Sequence, residues 1–311
     1  DLDLLEGEDL EHEMRQRERK PEAQYSPWLF VQENMKFGSG GKTGDKAVTA
    51  KEVEQEAKSC GVPVAYVDKG VLNTLCGSRP HQGYVLRCGA LEFETTSRIP
   101  DPKEDEQAPK LWLVLDEVVD PQNLGALLRS AYFLGGKAPD RDDDANPSPS
   151  SSTSIGIMVC SKNSAPPSPV VSAASAGALE LCQIYSTSNL PRTLNAAKED
   201  GWRILGAAAS APNGMIDPVT SEPVQCMDLQ NVDTGGNDDD GNETPTILVL
   251  GSEGHGLRTL VAKACTGFVR IPASMAAGLG SGTNAGVDSL NVSVTGGIMM
   301  WHLLNHGKKS D

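Results

Sequence analysis

Several features that mark other classes of protein are missing from this sequence of 311 residues. No apolar run approaches the roughly 18 residues that a membrane-spanning helix needs, so we expect a soluble protein. The seven cysteines are scattered and none of them forms a Cys-x-x-Cys pair, which argues against a zinc site and against a disulfide framework. Position 1 is aspartate rather than methionine, so we expect the natural N-terminus, with any targeting peptide, to lie upstream.

Basic residues are few: 27 lysines and arginines face 42 acidic residues, and the formal net charge is −15. The acid is concentrated in four segments with the character of solvated tails or loops, namely residues 1–22, 101–106, 140–144 and 228–243. Together these segments carry −17, which leaves the rest of the chain near +2. The charge of the chain therefore neither supports nor excludes an RNA partner.

Familiar catalytic and cofactor signatures are also missing. The glycine-rich stretch 38–43 lacks the first glycine of a phosphate-binding loop, and the stretch 278–282 departs from the spacing of a dinucleotide-binding turn. His302 and His306 are four residues apart on a predicted helix, but no third ligand accompanies them, so we predict no metal site.

The alternation of strand-like and helix-like segments predicts two α/β domains. After a charged tail or insert at 1–25, we expect a small domain over residues 26–97, with strands at 28–31, 62–67 and 84–88 and helices at 48–59 and 69–76. The acidic segment 98–109 is predicted to be a linker. A larger domain over 110–307 would carry polar inserts at 139–154, 210–244 and 273–287.

The larger domain has the continuous apolar runs that are typical of parallel strands covered on both faces. Its strands are predicted at 111–115, 155–160, 183–185, 202–207, 247–250 and 268–271. Its helices are predicted at 124–134, 170–181, 190–198, 257–264 and 289–306.

Three polar turns, residues 120–125, 250–254 and 289–294, each follow a strand-like run and open a helix-like one. Because the carboxyl ends of parallel strands meet at one edge of a sheet, the three turns can converge on a single site. A plain structural interpretation stays open for each turn. Arg129 could form an ordinary ion pair, Glu253 could be an ordinary surface residue, and Ser289 and Asn291 could each cap the last helix.

These turns resemble the three sequence motifs of the SpoU (TrmH-like) family of RNA 2′-O-ribose methyltransferases, within the SPOUT class. Residues 120–131, DPQNLGALLRSA, resemble the first motif, and residues 247–257, ILVLGSEGHGL, resemble the second. Residues 269–272 together with 289–298 resemble the third. The likeness covers about residues 26–306 apart from the inserts.

The resemblance implies a SPOUT-type α/β fold, a parallel sheet with a C-terminal trefoil knot, preceded by a small ribosomal-protein-like RNA-binding domain. It implies S-adenosyl-L-methionine as cofactor, held by Leu250, Gly251, Gly254, Ile271 and Leu290. It further implies that a catalytic group of five residues acts on a ribose 2′-hydroxyl, with Arg129 activating the hydroxyl and the other four shaping the site: Asn123, Glu253, Ser289 and Asn291. Family members are homodimers with the site near the subunit interface.

Within this family, residues 79–83, 163–166 and 201–207 are most similar to mitochondrial large-subunit rRNA (guanosine-2′-O-)-methyltransferases, and the low-complexity inserts suggest a fungal member. The resemblance thus predicts a mitochondrial enzyme that methylates a ribose in large-subunit rRNA. Two alternatives stay open: a tRNA ribose 2′-O-methyltransferase, and an inactive RNA-binding factor for ribosome assembly.

Overall fold

The computed structural model describes residues 26–33, 44–103, 108–135, 155–212, 215–216, 221–224, 226–232, 244–272 and 289–305. The tail predicted at 1–25 and the inserts predicted at 139–154 and 273–287 lie outside these residues. The chain divides into two compact units, Asp1–Ala90 and Leu91–Asp311, and each is described by itself.

The smaller unit builds a three-stranded sheet with helices beside it. Its described elements are β1 (Trp28–Gln32), α1 (Gly44–Ser59), β2 (Val64–Val67), α2 (Lys69–Leu75) and β3 (Tyr84–Arg87). β1 is central, parallel to β2 and antiparallel to β3. Leu29 and Val31 of β1 are buried, as is Leu72 of α2, because alternate residues of a strand face the side that a helix covers. The strands and helices predicted for this region are confirmed.

The larger unit contains, among its described residues, an eight-stranded sheet and six α-helices. In chain order they are β4 (Glu94–Thr95), β5 (Leu111–Leu115), α3 (Pro121–Gly135), β6 (Ile155–Cys160), α4 (Pro169–Ser175), α5 (Ala178–Leu181), β7 (Ile184–Thr187), α6 (Leu190–Glu199), β8 (Arg203–Ala207), β9 (Cys226–Asp228), β10 (Thr246–Leu250), α7 (Thr259–Ala264), β11 (Gly267–Arg270) and α8 (Val292–Asn305). None of the helices in the described ranges is long and apolar enough to cross a membrane.

Every strand pairing in this sheet is parallel, in the order β4-β7-β6-β5-β10-β8-β11-β9. All residues of β5 are buried, with Leu113 in one hydrophobic cluster and Trp112 and Val114 in the cluster on the other face. The chain runs outward from β5 to β6 and β7, then crosses to β8 and β10 on the other side. The neighbours β5 and β10 therefore mark the point where the strand order reverses, and ligands bind outside the carboxyl ends of strands at such a point.

The boundary between the units lies earlier than the sequence suggested. β4, at residues predicted to belong to the small domain, pairs with β7 and extends the larger sheet. The predicted linker also packs against this unit, because Ile99 is fully buried and the indole N–H of Trp202 donates to the carbonyl oxygen of Pro100 at 3.1 Å. The acidic residues of this segment suggested a solvated linker. Its single isoleucine, Ile99, instead holds the segment against the hydrophobic core of the larger unit.

The predicted polar insert 210–244 contains regular structure. β9 pairs with β11 at the edge of the sheet, and a short 3₁₀ helix, Leu229–Asn231, follows it. Leu229 and the adjacent Val232 are buried in the core beneath α8. A three-residue edge strand is too short to leave a period-two pattern, so the sequence did not reveal it.

Several helices have bounds other than the predicted ones. The helix expected over 170–181 is divided into α4 and α5, because Ala176 and Gly177 adopt left-handed φ values of 53° and 89° and end the first segment. The last helix begins at Val292 rather than Ser289.

α8 lies close against α3 and the end of β10 at Gly296. A Cβ atom there would come within 2.4 Å of the side chain of Leu127 and 2.7 Å of that of Leu250, both of which are buried. The close approach of the two helices therefore requires a glycine, and it brings the first turn of α8 toward the strand ends.

We expect Gly296→Ala to lower the free energy of unfolding by about 1 kcal/mol, since overpacking a tight contact outweighs the gain in helix propensity. The neighbouring Gly297→Ala is the matched control, because its Cβ would meet Ser130 at an ordinary 3.6 Å. That variant should be more stable than wild type by about 0.5–1 kcal/mol. Urea unfolding followed by circular dichroism measures both, and equal midpoints for the two variants would contradict the close-packing argument.

Candidate active site

A cavity of about 550 Å³ opens at the carboxyl edge of the larger sheet. Its wall comes from segments that are distant in sequence: residues 207–209 after β8, the turn after β10, the end of β11, and residues 289–299 at the start of α8. Sites for small molecules and cofactors measure about 300–1,000 Å³ and combine apolar walls with a few placed polar groups. The cavity is of the size that a nucleoside-based ligand needs.

The turn after β10, residues 251–257, is called the glycine turn below, and it folds tightly on itself. Ser252 and Gly256 exchange both backbone hydrogen bonds, at 3.1 and 2.9 Å. A Cβ at position 251 would lie 2.3 Å from the carbonyl group of Gly256, so only glycine fits there. Gly251, Ser252 and Gly256 thereby present mostly backbone to the cavity.

Three predicted site residues meet beside this cavity, and Asn123, Glu253 and Asn291 are called the polar cluster below. Oε1 of Glu253 accepts hydrogen bonds from Nδ2 of Asn291 at 2.7 Å and from Nδ2 of Asn123 at 2.9 Å. Nδ2 of Asn291 also donates to Oδ1 of Asn123 at 3.0 Å. One carboxylate oxygen of the turn after β10 thus joins that turn to the first turn of α3 and to the start of α8.

Asn291 also caps α8. Its Oδ1 accepts hydrogen bonds from the backbone N–H of Ser293 at 2.8 Å and from the Ser293 hydroxyl at 2.5 Å. The backbone N–H of Val292 points to Oε1 of Glu253 at 3.4 Å. Because the N-terminal end of a helix carries partial positive charge, the Glu253 carboxylate is favoured at this position. Of the two capping candidates in the sequence, Asn291 makes these bonds.

The cavity wall, as far as the structure describes it, carries one carboxylate, Glu253, and one guanidinium, Arg270. Nε of Arg270 donates to Oδ1 of Asp228 at 2.7 Å, and this hydrogen bond raises the pKa of Arg270 above its ordinary value. Burial raises the pKa of the nearby Cys226 thiol, whose Sγ lies 3.2 Å from the carbonyl oxygen of Ala208. The guanidinium therefore stays charged, while the thiol is a poor nucleophile at neutral pH.

Four of the five predicted cofactor-binding residues line this cavity: Leu250, Gly251, Ile271 and Leu290. The fifth, Gly254, is exposed on the glycine turn and does not line it. Ser289 lines the cavity and is exposed.

Arg129 does not join the polar cluster. It is exposed on α3, six residues beyond Asn123, which puts it about 9 Å along the helix axis and about 120° around it. It forms no hydrogen bond or ion pair with any residue that the structure describes, and it does not line the cavity. The apolar residues of α3 recur with a helical period that leaves Arg129 off their stripe, so the sequence indicates its exposure. The sequence does not show that the side chain lies outside the cavity.

Several lining residues were not predicted. Ala208 and Ala209 follow β8, and Thr295 and Met299 lie one and two turns into α8 after Asn291. A signal existed for them, since β8 was a predicted parallel strand whose carboxyl end had to reach the same edge. In the described parts of the chain, no group of three or more His, Cys, Asp or Glu side chains could hold a metal ion. His306 lies outside the described residues.

Comparisons with known proteins identify the family. The SpoU rRNA methylase family model matches residues 150–301, and a model for RNA 2′-O ribose methyltransferase substrate binding matches residues 41–94. The chain is 32% identical to mitochondrial rRNA methyltransferase 1 of Schizosaccharomyces pombe, over 78% of this chain and 75% of that protein. The chain belongs to the SpoU methylase family. It is also 30% identical to the human protein of that name, over 88% of this chain and 67% of the human one.

The chain covers different fractions of the length of other relatives. The chain covers only 45% of the length of the similarly named protein of Dictyostelium discoideum, at 29% identity over 84% of this chain. Among solved structures, an S-adenosylmethionine-bound rRNA methyltransferase from Sinorhizobium meliloti gives a TM-score of 0.56 at 17% identity, covering 91% of this chain and 82% of that one. The SpoU methyltransferase AviRb from Streptomyces viridochromogenes gives 0.54 at 16% identity, covering 89% and 81%. At such identities the likeness shows the fold, an α/β fold with the large parallel sheet of SPOUT methyltransferases.

The geometry of the polar cluster predicts how substitutions at Glu253 affect stability. Glu253→Gln keeps an oxygen that can accept the three hydrogen bonds, so its free energy of unfolding should stay close to the wild-type value. Glu253→Ala removes the acceptor and should cost about 1 kcal/mol, reduced from a buried value because the residue is exposed. Urea unfolding of both variants provides the measurement, and an alanine variant as stable as the glutamine one would contradict the described bonding.

Proposed function

We propose that this chain is an S-adenosylmethionine-dependent methyltransferase that modifies a ribose 2′-hydroxyl of large-subunit rRNA. The observation that carries the proposal is the polar cluster at the mouth of the cavity. Asn123, Glu253 and Asn291 come from three separate parts of the chain and meet where a backbone-lined pocket opens. An ordinary surface carboxylate does not need hydrogen bonds from two side-chain amides and from the N-terminus of a helix. A site that must hold two reactants in a fixed relative position does need such bonds.

The cavity fits the cofactor of the family. Leu250, Ile271 and Leu290 supply apolar walls for a purine ring, and Gly251 offers bare backbone for polar edges. Glu253 and Arg270 supply one charge of each sign to a ligand that carries an ammonium and a carboxylate. When bound, S-adenosylmethionine supplies an electrophilic methyl group on a sulfonium, and its transfer to a ribose oxygen releases one proton.

The residues around the cavity would orient the ribose. All the hydrogen bonds of Glu253 to described residues go to Oε1, which leaves Oε2 to accept a hydrogen bond from an RNA hydroxyl. Asn123 and Asn291 hold this carboxylate in place, and Ser289 adds a hydroxyl at the cavity wall. In a displacement at a methyl group most of the catalytic advantage comes from such placement.

We assign Arg129 a role in binding the RNA substrate. Its guanidinium is exposed and can bind the RNA beside the reacting ribose, while an RNA phosphate takes the proton. Its position outside the cavity supports a site that is completed by RNA or by a second subunit.

The names of relatives support rRNA as the substrate. Besides the mitochondrial rRNA methyltransferases, the chain is 30% identical to the 23S rRNA (guanosine-2′-O-)-methyltransferase RlmB of Coxiella burnetii, over 88% of this chain and 86% of that protein. We infer a mitochondrial protein that acts on a guanosine, and a small unit that binds the RNA as the substrate-binding family model suggests.

The proposal includes the knot and the homodimer of the family. The contact between the glycine turn and the start of α8 supports a trefoil knot. In the sheet, β8 lies between β10 and β11, so the chain that leaves β11 has to cross β8 before α8 can contact the turn after β10. An exposed apolar stripe supports the dimer: Val294, Ile298 and Trp301 follow helical spacing along α8, and the exposed Leu290 precedes the helix. Phe133 on the adjacent α3 is 83% exposed. Monomers rarely leave such a surface open to water.

The first test combines cofactor binding with mapping of the product. Isothermal titration with S-adenosylmethionine should show one site per chain. Mapping of 2′-O-methylation in mitochondrial rRNA and tRNA, from cells with and without the protein, should show one rRNA ribose that loses its methyl group. Loss of a tRNA methylation instead would redirect the substrate, and an absence of cofactor binding would point to an RNA-binding assembly factor.

Arg129→Ala should lower methyl transfer by about 1,000-fold or more, because the charge that holds the RNA at the reacting ribose is lost. Its affinity for S-adenosylmethionine should stay within about twofold of wild type, since the side chain does not line the cavity. The matched control is Arg192→Ala, at an exposed arginine of α6. Titration and a tritium-transfer assay give the two values, and a large loss of cofactor affinity would contradict the assigned role.

Ile298→Asp should convert the dimer into a monomer, because a carboxylate in the apolar stripe would be buried without a partner. Leu260→Asp, at an apolar position of α7 that is more exposed than Ile298, should leave the dimer intact. Light scattering coupled to size exclusion measures the mass of each. A wild-type monomer, or dissociation of the Leu260 variant alone, would refute this interface.

A further inference from the structure

The first residue after β5, Asp116, has a fully buried carboxylate that is wholly committed to one other residue. Its Oδ1 accepts a hydrogen bond from Nε of Arg258 at 2.7 Å and lies 2.6 Å from Nη2 of the same guanidinium in an ion pair. Its Oδ2 accepts from the backbone N–H of Arg258 at 3.0 Å. The backbone N–H of Asp116 in turn donates to the carbonyl oxygen of Leu250 at 2.8 Å.

These bonds hold both ends of the glycine turn. Leu250 is the last residue before the turn and Arg258 is the first residue after it, so one aspartate fixes where the turn leaves the sheet and where it returns. Inside the turn, the described bonds are the Ser252–Gly256 pair and the bond from the His255 N–H to Ser252 Oγ. These internal bonds shape the turn, but they do not orient it on the sheet.

The guanidinium of Arg258 has further partners that keep it in this position. Nη2 lies 3.3 Å from Sγ of Cys160, at the end of β6, and Nε lies 3.5 Å from Oε1 of Glu117. Asn163 donates to the same Glu117 oxygen at 2.6 Å. The network reaches from β10 across β5 to β6, which are all rigid parallel strands.

We propose that Asp116 and Arg258 are positioning residues, which set the placement of Glu253 at the tip of the glycine turn and so act on methyl transfer through the polar cluster. The inference rests on the proposed function for its kinetic consequence. Neither residue lines the cavity. Asp116 is fully buried and the Arg258 side chain is 35% exposed. Even a fully buried ion pair adds little net stability compared with an apolar pair, which fits a role in geometry rather than in folding free energy.

The test is a double-mutant cycle between residues that do not touch. Arg258→Lys keeps a charge opposite the buried carboxylate but loses the two-nitrogen contact, so the chain should fold. It should lower kcat/KM by about 100-fold, the effect of a displacement of about 1 Å at a reacting group. In a Glu253→Gln background the same substitution should cost less than about twofold, because the group that Arg258 positions has already been changed. Arg258→Gln combined with Asp116→Asn, which removes both charges, repeats the cycle.

The matched control is Asp200→Asn. In the same unit, the Asp200 carboxylate forms an ion pair with Arg98 at 2.6 Å, and the Asp200 side chain is only 8% exposed. Neither residue contacts the site. This variant should leave kcat/KM within about twofold of wild type, and its small effect should simply multiply with that of Glu253→Gln.

Hydrogen exchange provides a readout that does not depend on the reaction. In Arg258→Lys, amides of residues 251–258 should exchange at least about tenfold faster, while those of β10 keep the wild-type rate. Unchanged exchange in the turn, or multiplicative kinetic effects of Arg258→Lys and Glu253→Gln, overturns the inference. If the turn exchanges faster in Arg258→Lys but the wild-type chain methylates no RNA, the proposed function is overturned, whereas the role of Asp116 and Arg258 in positioning the turn is still supported.

Discussion

The site depends on one carboxylate oxygen. Oε1 of Glu253 accepts hydrogen bonds from the amides of Asn123, in the first turn of α3, and of Asn291, at the start of α8, while Glu253 itself belongs to the turn after β10. Without this shared acceptor, the glycine turn would lose these bonds to the other two segments, which the hydrogen bond from Asn291 to Asn123 joins to each other. With it, the loops form one wall, and the cavity beside them has a defined shape.

The parallel sheet makes that meeting possible. Because every pairing is parallel, all strands deliver their following turns to the same edge. The order of strands then decides which turns become neighbours, and β5 and β10 lie side by side although more than a hundred residues separate them. Two hydrophobic clusters, one on each face, hold these strands in place, so the polar contacts at the edge need not supply the stability of the fold. The exposed Glu253 and the buried Asp116 illustrate this division, since the first joins loops and the second anchors one of them to the sheet.

The elements that could be predicted are those whose local pattern is strong. β5 and β6 have the predicted bounds, because their continuous apolar runs leave no alternative to a strand covered on both faces. β4 and β9 were missed, since strands of two and three residues have no period of their own and exist through pairing with β7 and β11. Ile99 shows the same limit, because one apolar residue within an acidic segment does not change the local pattern but does decide where the segment packs.

For the site, the sequence by itself determined which residue types are present and the family to which their spacing belongs. It therefore named Asn123, Glu253 and Asn291 before their contact was known. Only the tertiary structure decided that one oxygen of Glu253 joins the other two, that Arg129 lies outside the cavity, and that Asp116 holds both ends of the glycine turn. The physical reason is that hydrogen bonds depend on distance and angle between atoms far apart in the chain, and those distances arise only when the strand order of the folded sheet brings the loops together.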